Sequence, residues 1–351
     1  MLSASVPKRH EIIIAPTSPE NPRNGEGSII SLNDGRLLLG WTRFMGGGRD
    51  HSGAEVWGRI SGDHGYSWSA PFLLQENIGQ CNVMSAGFLR LDSGALLFGF
   101  AVKNHPSKDC RYYVRRSYDE GQTWDKAVLT ILEEGYFVVN NDRLLQTTDG
   151  RLLVPAAKAV NERYHCVSTC FCSDDRGQTW HRCAPYLGLP SSPVGLQEPG
   201  LVERADGALW MYMRTDRGRI YASLSVDSGE SWSEPQPTEL VAPVAPASAR
   251  RLPESDDILI LYNDRRGVPY SPDRSTAFHH RTPLVAALSS DGGQSWHNHR
   301  LVESDQEKSY CYTSIAFHEG NTLLTYYVGT AEGPNLLDLK LSIVPTAVWS
   351  Q

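Results

Sequence analysis

Five stretches of the sequence share one octapeptide: SGDHGYSW at Ser61–Trp68, SYDEGQTW at Ser117–Trp124, SDDRGQTW at Ser173–Trp180, SVDSGESW at Ser225–Trp232 and SSDGGQSW at Ser289–Trp296. Every copy obeys Ser-x-Asp-x-Gly-x-Ser/Thr-Trp, and successive copies start 56, 56, 52 and 64 residues apart. Self-similarity at such a period marks an array of one supersecondary unit. The chemistry of the octapeptide is that of a tight turn between two strands. Its Asp can accept from nearby backbone amides, its Gly can take a positive φ, and its Trp can pack a ring beneath the turn. Five of the nine tryptophans are thereby assigned as structural pegs.

A second element recurs at the same interval: an apolar strand, a turn of Asp-Gly type and another apolar strand. It reads SIISLNDGRLLLGW from Ser28, AGFLRLDSGALLFGF from Ala86, RLLQTTDGRLLVPAA from Arg143, GLVERADGALWMYM from Gly200, ARRLPESDDILILY from Ala249 and SIAFHEGNTLLTYY from Ser314. Each unit continues through a variable loop into a third strand that ends at the octapeptide, and a fourth strand follows, as in WSAPFLLQ from Trp68. Six units of four antiparallel strands predict an all-β, six-bladed β-propeller that occupies residues 1–351 as one domain. A solenoid would need capping repeats at its ends, and none is visible. The sixth unit lacks the octapeptide, so the strand His10 to Ala15 is expected to close the ring against the strands around Leu339 to Val348.

Composition narrows the function classes. With 33 basic and 40 acidic side chains the chain carries a formal charge of −7, which argues against a nucleic-acid binder working through bulk positive charge. No apolar window approaches the length of a membrane-spanning helix, and the N-terminal apolar stretch is too short for a signal-peptide core. The seven cysteines are an odd number in a chain too long to need staples, so free thiols and a cytoplasmic location are expected. Cys166, Cys170 and Cys172 share one face of an extended run beside His165, but their spacing is not that of a zinc knuckle. They are read as small buried strand residues, with no metal and no cofactor expected.

Topology sorts residues by face. If the Asp-Gly turns and octapeptides lie on one face, the starts of the first strands and the loops after the second strands lie on the other. Counting nine residues back from each turn glycine gives Glu26, Ser85, Asn141, Glu198 and Cys311, with Tyr312 beside it. The loops add Arg43, Arg49, Asp50, Lys103, Arg214, Arg281 and other charged residues, so this end of the channel is rich in arginine. A small anionic ligand is expected there. His51, His279 and His280 are read as loop residues.

The repeated octapeptides on a six-unit framework resemble the Asp-box (BNR) repeats of the sialidase, or neuraminidase, superfamily, and the resemblance spans essentially the whole chain. QEPGLVERADGALWMYMRTDRG, from Gln197, resembles the segment that supplies a buried glutamate and the second arginine of that family, here Glu198 and Arg214. RTPLVAALSSDGGQSW begins with Arg281, which the resemblance makes the third arginine. YCYTSIAF resembles the segment of the nucleophilic tyrosine, here Tyr312, and the Gly-rich loop after Trp41 resembles the one that carries the acid/base carboxylate, here Asp50.

These matches imply a retaining exo-glycoside hydrolase with a tyrosine nucleophile, acting on sialic acid or a related 2-keto sugar acid at the end of a glycan. Where the family begins its first blade with an Arg-Ile-Pro element, this chain reads RNGEGSII, with Glu26 near the position of the expected positive charge. Arg23, Arg43 or Arg143 are the candidates to replace it, and Asn141, Asp142 and Arg143 form a polar run counted with the substrate-binding residues. The departure keeps two alternatives open: a silent propeller that binds glycans, and a glycosidase or lyase for another sugar.

Overall fold

A computed structural model of the chain describes residues 3–351. Six antiparallel sheets are arranged as the blades of a propeller, and each runs from an innermost strand at the central channel to an outermost strand at the rim. Blade 1 comprises Asn24–Ser31, Leu37–Phe44, Ala54–Ser61 and Phe72–Gln75 in that order. Blades 2, 4 and 5 repeat the scheme, starting at Asn82, Gln197 and Ser248. Blade 6 starts with Lys308–His318, and its fourth strand is His10–Ala15, which pairs antiparallel with Asp338–Pro345. The chain start contributes one more strand: Ser3–Ser5 runs parallel to the outer strand His297–Glu303 of blade 5.

Second strands are covered on both faces by neighbouring blades, which is why they read as unbroken apolar runs such as LLFGFAVK, buried throughout. Six hydrophobic clusters fill the six blade-to-blade interfaces. The seam between blades 6 and 1, for example, is built by Ile14, Leu37, Leu39, Trp41, Leu323, Leu341 and Ile343.

The octapeptide turns are fixed by their own polar atoms. In the first, the Ser61 hydroxyl donates to Asp63 at 2.9 Å and accepts from the Gly65 amide at 2.8 Å, while Asp63 accepts from both the amide and the hydroxyl of Ser67. The same pattern recurs around Asp119, Asp175, Asp227 and Asp291. Two consecutive residues adopt left-handed backbone in each turn, as with His64 at φ 62° and Gly65 at φ 94°. Only the glycine of each pair was foreseen. These turns lie on the face opposite the site described next.

Blade 3 departs from the others. Its innermost strand is split into Phe137–Val138 and Leu145–Gln146, both paired with Leu152–Ala159. The interruption lets residues 139–144 turn inward. The Asn141 amide donates to Gly27 O of blade 1 (2.8 Å) and Tyr312 O of blade 6 (3.2 Å). Asp142 accepts from Ser28 of blade 1 and the Ile315 amide of blade 6 and pairs with Arg250 of blade 5. Arg143 donates to Ala247 O at 2.7 Å. This run stitches blades 1, 3, 5 and 6 across the channel.

Candidate active site

The candidate side chains sit where innermost strands bulge. Pairing registers slip between Gly25 and Ser28, Met84 and Gly87, Gln197 and Gly200, and Cys311 and Ser314. The bulge residues Glu26, Ser85, Glu198 and Tyr312, with Asp142 of the split strand, all have positive φ, between 48° and 63°. Non-glycine residues pay about 1–3 kcal/mol for such backbone and keep it where the surroundings over-determine it, commonly at functional sites. The nine-residue count identifies Glu26, Ser85 and Glu198; in blades 3 and 6 the left-handed residue falls one position later, at Asp142 and Tyr312.

A cavity of about 800 Å³ opens at this end of the channel, and Tyr312, Glu198, Asp50, Arg214, Arg281, Glu26 and Arg23 all line it. The Tyr312 hydroxyl donates to Glu198 Oε1 at 2.8 Å, and Arg214 donates to Glu198 Oε2 at 2.6 Å. Burial works to raise the Glu198 carboxyl, but the Arg214 charge and hydrogen bond outweigh it and hold Glu198 below its ordinary range. Burial, and then the Glu198 charge, push the Tyr312 phenol far above its usual value, so it is a neutral phenol that keeps its proton and shares it by hydrogen bond with the Glu198 carboxylate.

Arg281 donates to Cys311 Sγ at 3.2 Å, and its guanidinium lies 5.8 Å from the centre of the Tyr312 ring. Among the described residues no carboxylate is within ion-pair distance of Arg281 or of Arg274 in the same loop, and the buried Nε of Arg214 has no protein acceptor. Burial, and then Arg214 and Arg281, lower the Arg274 guanidinium, as expected for cations gathered at one wall. This wall can take an anion bidentately.

The opposite wall is electrically balanced. Arg23, 2% exposed, donates to Asp50 at 2.5 Å, to Glu26 at 2.8 Å and to the Tyr327 hydroxyl at 2.9 Å, and lies 4.2 Å over the Phe44 ring. Glu26 also accepts from Ser85 at 2.5 Å, and its burial raises the carboxyl in spite of Arg23. The Asp50 side chain is 68% exposed at the cavity mouth. Desolvation works to raise its carboxyl, yet Arg23, with Lys103 and Arg281 beyond it, brings it below the usual value. The loop itself is pinned by Lys103 and Asn82, which donate to Asp50 O. Gly25 is required here because an added Cβ would fall 2.0 Å from the Tyr327 ring.

Four residues grouped with the site by sequence do not line the cavity. Arg43 stacks 4.4 Å from Trp57 and bonds to Asn21, because the alternation of its strand puts it, with Trp41, on the blade face that packs toward blade 6. Asn141, Asp142 and Arg143 form the buried stitch described above, their polar atoms largely consumed by other blades. Of the three replacement arginines only Arg23 reaches the cavity. Arg274, Arg163, Tyr136 and Tyr164 line it as well and were not foreseen. Arg274 lies in a second-to-third-strand loop, so the topological rule that selected Arg49 and Asp50 also covers it.

A propeller with Asp-box turns and a cavity of this make-up defines a class, and the comparisons agree with it. The model of the BNR repeat-like domain matches residues 35–324, and the chain belongs to that family. No curated protein matches it in sequence. Among solved structures it is similar to a protein of unknown function from Dyadobacter fermentans DSM 18053, with 18% identity, TM-score 0.78, and 97% of this chain and 99% of that one covered. It is also similar to the intramolecular trans-sialidase from Ruminococcus gnavus, with 15% identity, TM-score 0.75, and coverage of 98% and 99%. A third similar structure is the Hadza microbial sialidase Hz136, with 16% identity, TM-score 0.74, and coverage of 94% and 67%. At these identities the likeness is one of fold.

Proposed function

We propose that the protein is a retaining exo-glycoside hydrolase of sialidase type, which releases a terminal anionic sugar, sialic acid or a related 2-keto sugar acid, from a glycan or oligosaccharide. The observation that carries this reading is the Tyr312–Glu198 hydrogen bond of 2.8 Å on the floor of a cavity with cations on one wall. A sugar acid with its carboxylate on the anomeric carbon repels a carboxylate nucleophile and tolerates a phenol. As Tyr312 Oη attacks that carbon, its proton passes to Glu198 Oε1 and the bond to the leaving oxygen breaks. Arg214 and Arg281, with Arg274 beside them, hold the sugar carboxylate. Asp50 is the candidate to protonate the leaving oxygen and then to take a proton from the water that releases the sugar.

One observation favours a second reading, a propeller that binds the same sugars without hydrolysing them. Asp50 is held ionised by Arg23, whereas an acid catalyst must carry a proton. A hydrolysis screen over aryl glycosides of sialic acid, its deaminated analogue, shorter 2-keto sugar acids and neutral sugars separates the two. Turnover confined to the acidic sugars and abolished by Tyr312→Phe is expected. No turnover on any of them, with binding of the free sugar acid retained, would replace the enzyme by the binding module.

A further inference from the structure

The third strand of blade 3, Cys166–Ser173, and the strand outside it, His181–Arg182, place thiols and an imidazole on one face. Cys172 is paired directly with His181, and the Cys183 amide donates to Cys170 O, so Cys183 lies opposite Cys170. Since alternate residues of a strand share a face, Cys170, Cys172, His181 and Cys183 form a two-by-two block looking toward blade 4. His181 Nε2 is 3.3 Å from Cys172 Sγ, while the Cys183 thiol donates to Cys170 O at 3.4 Å. Asp174, two residues beyond Cys172, brings a carboxylate oxygen within 4.8 Å of both the Cys172 sulfur and a His181 ring nitrogen. The thiols are buried, while His181 and Asp174 are exposed at the rim.

We propose that the rim of this block is a binding site for a thiophilic divalent cation of zinc type, held by Cys172, His181 and Asp174 with water as the fourth ligand. With metal–sulfur bonds near 2.3 Å and metal–nitrogen bonds near 2.0–2.1 Å, tetrahedral ligands lie about 3.5 Å apart, close to the sulfur–nitrogen separation found here. Binding releases one thiol proton, from Cys172, to solvent, while His181 binds as the neutral imidazole. The Cys172 thiolate and the Asp174 carboxylate neutralise the ion, and Asp174 is oriented by Arg151, which donates to it at 2.7 Å and is anchored independently by Glu230. The exposed edge of His181 supplies an entry path, and the ion would join the two outer strands of blade 3, whose ladder there is only two residues long.

The test uses the full chain, reduced, stripped with a chelator and titrated with Co²⁺. One equivalent is expected to give the thiolate-to-cobalt charge-transfer band and strong visible absorption of a tetrahedral site, both abolished by one equivalent of Zn²⁺, with a rise in melting temperature. His181→Ala, a substitution at an exposed position, and Cys172→Ser are expected to weaken affinity at least tenfold, and Cys81→Ser to leave it unchanged. A weak six-coordinate spectrum, or a tetrahedral one that survives both His181→Ala and Cys172→Ser, would overturn the site. The readout does not depend on glycosidase activity.

Discussion

Replacing Glu198 with Gln preserves shape and removes one charge, and the structure sets two separate magnitudes for the result. Glu198 and Arg214 are 9% and 13% exposed, so the substitution leaves a nearly buried guanidinium without its counter-ion. Breaking such a pair costs about 3–5 kcal/mol, and opening toward the cavity puts this case near about 3. At about 2.1 cal/mol/K of unfolding entropy per residue, a chain of 351 residues loses roughly 0.7 kcal/mol of stability per degree near its midpoint, so the melting temperature should fall by about 4 °C. Catalytically, loss of the base that accepts from Tyr312 should lower kcat by about 10²–10⁴-fold. Calorimetry and single-turnover kinetics on an aryl glycoside of the best acidic sugar measure the two effects. Adding Arg214→Met should restore most of the melting temperature, because it removes the guanidinium left without a counter-ion, while turnover stays lost. Wild-type turnover in Glu198→Gln, or a melting temperature that the second substitution lowers further, would refute the assignment of base and counter-ion.

Other consequences can be checked as directly. Asp50→Asn should slow glycosides with poor leaving groups at least tenfold more than activated aryl glycosides, because only the former need a proton on the leaving oxygen. Arg281→Ala should raise KM for acidic sugars about 10–100-fold, the worth of a lost charged hydrogen bond, and Arg274→Ala by a smaller factor; inhibition constants of a sugar acid and its neutral methyl ester would report whether the effect follows the carboxylate. The octapeptide carboxylates Asp63, Asp119, Asp175, Asp227 and Asp291 are all lowered to about 2. For Asp63, Asp119 and Asp227 the neighbouring Ser or Thr hydroxyl is the main cause, while for Asp175 and Asp291 the same bonds overcome desolvation. A depressed folded value means that the stabilisation is complete above about pH 4 and is lost as pH falls toward 2. Melting temperature should therefore drop through that window, and a flat profile would contradict the turn chemistry.

The fold was legible because the octapeptide is local: a Ser, an Asp and a Gly within five residues determine the turn, and six copies of a two-strand unit determine the ring. Glu198 and Tyr312 were legible for a related reason, since distance from a turn glycine measures position along an innermost strand. The count slipped by one at Tyr312 because the hairpin turn of blade 6 is tighter: His318 pairs with Asn321 across Glu319 and Gly320, whereas Ser31 and Leu37 of blade 1 pair across a longer turn, and apolar pattern does not record that difference. Asn141–Arg143 were misplaced because their partners, Gly27, Ala247, Arg250 and Ile315, are distant in sequence, and a polar run at a channel mouth reads alike whether it binds sugar or other blades. Arg23 was one of three candidates until its ion pairs with Glu26 and Asp50 could be seen. Cys183 and His181 were invisible as companions of Cys170 and Cys172 because the octapeptide turn separates them in the chain and only strand pairing reunites them.

The closure of the ring by His10–Ala15 carries a consequence for biosynthesis. Ile12 pairs with Leu341, so this strand waits for a partner made more than 300 residues later. At about 5–20 residues per second, the ribosome needs roughly 15–65 s to span that gap. During this time the edges that will meet at the seam, including the apolar Ile14, Leu37 and Leu39, have no neighbour of their own chain. Such edges invite pairing with other chains, so protection of the nascent chain during that interval, more than the stability of the finished ring, should set how much soluble protein a cell obtains.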